Sequence, residues 1–180
     1  MKKRYTLEVF EQYDDLTIYT LKYDDERLSE TEKFFLKFPP GCPYDEDVDR
    51  IVAAVDNIIA RGAKERFFRP EGSYGDGVGA LPIEFGNKVR LYFLRITDNI
   101  LIVGNGDVKD AARWQDSPKL APIVTQLIET SKFIHARINN GTLRAVHNIL
   151  TGNLKFTRDD EKQCSRGSAD NGVPGDTSPS

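Results

Sequence analysis

Between Val89 and Gly104 two strand patterns stand back to back, residues 89–97 and 99–104, and only Asp98 and Asn99 are available to turn the chain. A two-residue reversal between two such runs dictates a tight antiparallel hairpin. This one is mostly Val, Ile, Leu, Tyr and Phe, so it belongs in the interior of a sheet. Its first strand nevertheless carries Arg90, Tyr92 and Arg95. A guanidinium in a central strand requires an anion, a carboxylate or water, so the hairpin is core and candidate site together. Alternation places Arg90 and Tyr92 on one face with Leu94 and Ile96, and Arg95 on the other with Leu91 and Phe93.

The remaining sequence reads as β-β-α-α-β-β-β-α followed by a tail. Residues 5–12 and 16–23 alternate and meet at Asp14-Asp15, a first hairpin. A short helix begins after Ser29, with Glu32 completing a capping box, and stops before Pro39-Pro40-Gly41. A longer helix over 47–61 carries Val48, Ile51, Val52, Val55, Ile58 and Ile59 as one stripe and ends at Gly62. Residues 66–69 and 80–85 read as strands around a glycine-rich connection. Ser117-Pro118 opens a third helix that runs to about Asn139, with Leu120, Ile123, Val124, Leu127, Ile128, Ile134 and Ile138 inward. Residues 143–156 are ambiguous. From Thr157 onward Gly, Ser, Asp and Pro dominate, which is the composition of a disordered tail. The expected architecture is one α+β domain over 1–156, a small antiparallel sheet with an N-terminal hairpin, packed by three helices around a single core.

Charge and motif content narrow the function. Residues 1–60 hold 14 Asp+Glu against 8 Lys+Arg, whereas residues 61–156 hold 9 against 14. A pI near 5.5 argues against a dedicated duplex-DNA binder but leaves room for a local anion site in the back half. No apolar run approaches the ~20 residues that span a bilayer, and Met1-Lys2-Lys3-Arg4 precedes an alternating rather than an apolar segment, so the expected location is cytoplasmic, without membrane contact. Cys42 and Cys164 have neither metal spacing nor catalytic companions and are expected as free thiols. The stretch 72–79 lacks the Gly-Lys-Ser/Thr end of a phosphate loop. His135 and His147 have no third ligand at zinc spacing, and no Ser or Cys is placed beside a recognisable base. No metal or other cofactor is expected.

What remains is a set of cations, Arg66, Arg69, Arg90, Arg95, Lys109 and Arg113, with Tyr92 among them and Trp114 at the edge. Cationic donors can stabilise the charge that builds on phosphorus during attack by a 2′-hydroxyl, while a side chain such as tyrosine handles the proton. For Arg90 two readings stay open: it binds a phosphate, or it pairs with a carboxylate such as Glu84 or Asp107 and ties the sheet together. Arg95 is read as structural.

The order Arg66-Phe67-Phe68-Arg69-Pro70, a glycine-containing loop, Ala80-Leu81-Pro82-Ile83, Val89-Arg90-Leu91-Tyr92-Phe93, Ile100-Leu101-Ile102-Val103-Gly104, Val108-Lys109 and Ser117-Pro118 before a helix resembles the RelE/HigB group of bacterial toxins over roughly residues 45–130. The resemblance implies cleavage of messenger RNA, commonly on the ribosome, and control by a cognate antitoxin protein. It implies catalytic roles for Arg90, Tyr92 and Lys109 and phosphate binding by Arg66, Arg69 and Arg113. Pro82 and Asp110 stand where such toxins carry cations. The alternative is therefore a catalytically weak or inactive scaffold that acts as a protein-binding module, its acidic hairpin meeting the partner.

Overall fold

The structure, a computed structural model, describes residues 2–73, 75–82 and 86–159. Its strands are β1 (Lys2–Gln12), β2 (Thr17–Tyr23), β3 (Arg69–Pro70), β4 (Val78–Ala80), β5 (Val89–Thr97), β6 (Ile100–Val108), β7 (Leu143–Val146), β8 (Ile149–Gly152) and β9 (Lys155–Asp159). Its helices are α1 (Glu30–Lys37), α2 (Asp45–Arg61) and α3 (Leu120–Asn140). Seven strands form one sheet in the order β3-β4-β5-β6-β2-β1-β9, and β7 and β8 make a separate hairpin. The sheet is mainly antiparallel, with β2 and β6 parallel. It is larger than the small sheet expected, because the N-terminal hairpin is not an appendage: β2 lies directly beside β6, Thr17 opposite Ile100.

Period-two alternation on β5 and β6 buries both faces of the sheet. Tyr92, Leu94, Ile100 and Ile102 point toward Leu120, Val124 and Leu127 of α3. Leu91, Phe93, Leu101 and Val103 point toward Phe34 of α1 and Ile51 and Ile58 of α2. The single core expected is thus two cores separated by the sheet.

Local chemistry fixes the helix ends. Ser29 and Glu32 form the reciprocal capping box of α1, and Gly62, at φ 88°, ends α2 with its N–H on the Ile58 carbonyl. The α2 stripe is narrower than expected: Val48, Ile51 and Ile58 are buried while Val52 is exposed. Residues 66–69 are not a strand. Glu65–Phe67 form a 3₁₀ turn, and Phe68 tilts against the Phe93 ring, which leaves only Arg69–Pro70 to pair with β4. Of the strand expected over 80–85, only Ala80 is strand, as the last residue of β4; Leu81 and Pro82 are not strand, Pro82 having no N–H to give a ladder, and Ile83, Glu84 and Phe85 lie outside the described residues. The ambiguous region 143–156 resolves into β7, β8 and the start of β9, which pairs with β1 and continues to Asp159. Residues 157–159, expected in the disordered tail, are therefore strand, because Phe156 buries against Tyr5 and holds β9 on β1. The rest of that expected tail, Cys164 included, lies outside the described residues. Cys42 is a free thiol.

A polar pin joins α1 to the sheet. The Thr31 hydroxyl, fully buried, meets Thr20 Oγ1 at 2.7 Å and donates to the Val103 carbonyl at 3.0 Å. Thr31→Val strands the Thr20 hydroxyl in a dry core, where an unsatisfied polar group costs about 1–3 kcal/mol. A urea titration should show a lower unfolding midpoint with an unchanged slope.

Candidate functional site

Five of the six residues singled out in the sequence line one recess of about 230 Å³: Arg69, Arg90, Tyr92, Lys109 and Arg113, joined by Glu71 and Trp114. It opens where β3, the start of β5 and the end of β6 come together. Arg66 is elsewhere, its guanidinium stacked 5.0 Å over the Phe67 ring beside a shallow cleft that it shares with Lys64 and Arg95. The 3₁₀ turn is the reason, since it rotates residue 66 away from the direction a strand would have given it.

Arg90 is placed by the loop before β5. Asp47, in the first turn of α2, accepts the N–H groups of Lys88 and Val89 at 2.7 and 3.1 Å, and Arg50 donates to Asn87 Oδ1 at 2.5 Å. The loop carbonyls of Asn87 and Val89 in turn accept from Arg90 Nη1 at 2.9 and 3.1 Å. The guanidinium is fixed by neutral groups and keeps its charge uncompensated by any described carboxylate. Asp107, which pairs with Arg90 in the β-register, is bound instead to Lys37. Arg95 emerges on the opposite face, as alternation requires, donating to the Ala63 carbonyl and pairing with Asp98 at 2.6 Å.

Tyr92 is 2 % exposed, its ring in the core beneath α3 and its hydroxyl without a hydrogen-bond partner among the described residues. Burial, and next the negative charge of Glu71, push its pKa from the ordinary 10.0 up to about 12, against the opposing pull of Arg90 and Arg69. At neutral pH it is a donor, not a base.

Lys109 follows β6, its backbone N–H on the Lys88 carbonyl at 2.7 Å, and its ammonium has no partner among the described residues. The segment that carries Arg113 and Trp114 is anchored at two points. Ser117 bonds the Asp110 carboxylate while its hydroxyl accepts the Leu120 N–H that opens α3, and Trp114 Nε1 donates 2.8 Å to the Glu71 carbonyl. Asp110 is thus committed to the helix start and does not enter the recess. Arg113 and Arg69 are exposed; Arg113 is paired with Asp116 at 3.0 Å, and Arg69 stands 3.9 Å from Glu71.

The sequence reading missed a second pairing. Ser131 and His135, one turn apart on α3, approach to 3.3 Å, although no serine was expected beside a base. Ser131 is buried and donates its proton 2.5 Å to the Asp76 carbonyl, so it latches the glycine-rich loop to α3 and is not poised as a nucleophile. Glu71, not singled out in the sequence, also lines the recess. Its place in the recess comes from the β3–β4 connection, which gives no periodic signal.

Neither protein-family models nor curated proteins nor solved structures match the chain. Among the described residues, no group of three or more His, Cys, Asp or Glu is arranged to hold a metal, and no helix is long and apolar enough to cross a membrane.

Tyr92 has a pH signature. Its pKa is raised on folding, so the stability it lends is complete below the unfolded value near 10.0 and is lost as pH rises through about 12. The phenolate absorbance difference between wild type and Tyr92→Phe should therefore titrate near pH 12. Glu71→Gln, which removes a charge that opposes ionisation, should move that midpoint downward.

Proposed function

We propose that the chain is a toxin-type endoribonuclease that cleaves single-stranded messenger RNA by internal attack of a 2′-hydroxyl, without a metal ion. The supporting observation is the convergence of Arg69, Arg90, Lys109 and Arg113, with one carboxylate and one neutral tyrosine, on a single recess. Arg90 and Arg69 bind the non-bridging oxygens of the scissile phosphate, and Lys109 stabilises the charge that develops there. Glu71 takes the proton of the 2′-hydroxyl as its oxygen bonds to phosphorus. The bond from phosphorus to the 5′-oxygen breaks, and Tyr92, protonated far above neutral pH, gives its proton to the leaving oxygen. The products are a 2′,3′-cyclic phosphate and a 5′-hydroxyl. Arg113, exposed at the rim, contacts a flanking phosphate. A cognate antitoxin as protein partner, action on ribosome-bound message and a cytoplasmic location belong to the same proposal and rest on the RelE/HigB resemblance.

A second reading, a protein-binding scaffold without nuclease activity, draws on the pairing of Arg113 with Asp116 and the approach of Glu71 to Arg69. Lys109 and Arg90, neither of which pairs with a carboxylate among the described residues, favour the first.

Purified protein incubated with single-stranded RNA should leave cyclic-phosphate ends. Arg90→Ala should lower the rate by about 10²–10³-fold, the usual effect of losing one preorganised donor, and should abolish growth arrest on expression. Intact RNA at every protein ratio, together with equal growth of both strains, would remove the nuclease reading.

A further inference from the structure

We infer that Lys37, on α1 and outside the recess, is a positioning residue for it: by holding Asp107 it keeps that carboxylate off Arg90. The inference rests on the nuclease reading for its catalytic meaning, but its geometry is independent of RNA. Arg90 and Asp107 are direct partners in the β5–β6 register. Side chains so opposed stand about 5 Å apart at Cβ, within reach for a guanidinium and a carboxylate to pair across the ladder. Here the pair is not made. One Asp107 oxygen accepts the Val108 N–H at 2.7 Å and the other accepts from Lys37 Nζ at 3.2 Å.

Lys37 is itself held firmly. Its ammonium also donates to the Gly106 carbonyl at 2.8 Å and to Asn105 Oδ1 at 3.1 Å. Asn105 Nδ2 donates to the buried Glu30 at 3.1 Å, and Glu30 accepts from Lys33 at 2.6 Å. The end of β6 that leads into Lys109 is therefore clamped to α1 by a chain of charge-assisted bonds. Position 106 contributes as well: a Cβ there would meet the Arg90 carbonyl oxygen at 2.0 Å, so only glycine allows the two strands this approach. Among the described residues the clamp leaves Arg90 with carbonyl partners alone, so that its charge faces an incoming phosphate without a described carboxylate against it.

The test compares wild type with Lys37→Met, Asp107→Asn and the double variant. The probe is a short single-stranded DNA oligonucleotide, which lacks the attacking 2′-hydroxyl, and the readout is the emission of Trp114, the chain's single tryptophan and a lining residue. Lys37→Met should weaken binding about tenfold, the order of one charge-assisted bond. The double variant should return to within about twofold of wild type, because Asp107→Asn removes the competitor. A role confined to stability would leave the double variant as weak as Lys37→Met or weaker, and that result, or unchanged binding by Lys37→Met, overturns the inference. Where Lys37→Met fails to fold, Lys37→Gln, which can still donate to the Gly106 carbonyl, replaces it. Should wild type neither bind nor cleave, the nuclease reading falls alone. The positioning claim is then decided by the Arg90 Nε–H resonance, which should shift on Lys37→Met and revert on adding Asp107→Asn; a resonance indifferent to both overturns it.

Discussion

The pairing of β5 with β6 governs everything that the recess contains. Past the Asp98-Asn99 turn the ladder shifts once on β5 between Thr97 and Arg95, runs in step from Arg95 opposite Leu101 to Phe93 opposite Val103, then gains a residue on β6, so that Leu91 pairs with Gly106. This bulge leaves Gly104 and Asn105 facing Tyr92 alone. A slip of one residue reverses every side chain beyond it, and a bulge absorbs such a slip at the cost of a local bend and added twist. Gly104 stays under α3, close to Leu127, while Asn105 reaches the α1 side and Glu30. Arg90 and Lys109 are then brought to the same end of the sheet from two different strands.

Cations gathered in a recess repel one another and invite acidic neighbours, so what matters is where those acids go. Among the described residues four cations line the recess with one carboxylate, Glu71. Asp116 pairs with Arg113 at the rim, while other acids are engaged away from the recess: Asp107 by Lys37, Asp98 by Lys64 and Arg95, Asp110 by Ser117, and Asp47 by two backbone N–H groups. The partners are largely contributed by helices and loops distant along the chain. The electrostatic character of the recess is accordingly a property of the tertiary structure, and the stability of α1 and the chemistry at Arg90 are linked through it.

Local signals in the sequence were sufficient for the two hairpins, the capping box at Ser29, the glycine stop at Gly62 and the inward stripe of α3. They also placed Arg90 and Tyr92 together and Arg95 opposite, since alternation is a short-range property. They failed where pairing is distant or irregular. Nothing near Thr17 announces Ile100 as its parallel partner, and nothing near Lys155 announces β1. Arg66 was misplaced because two phenylalanines after it looked like strand, whereas burial of Phe68 against Phe93 favours a turn. Glu71 and Trp114 meet through a backbone carbonyl, a contact that carries no sequence signature at all.

The parallel contact between β2 and β6 spans more than eighty residues of chain, from Thr17 to Ile100. During synthesis the first hairpin and both early helices leave the ribosome well before the strand that completes their sheet, with Leu16, Ile18 and Phe34 still uncovered. Long-range pairing of this sort slows folding and exposes sticky intermediates. The surplus of acid in residues 1–60 gives this first third of the chain a net negative charge through that interval, and like charge keeps neighbouring chains apart. The uneven distribution of charge along the polypeptide thus puts its like-charge repulsion on the segment that emerges before its pairing partner.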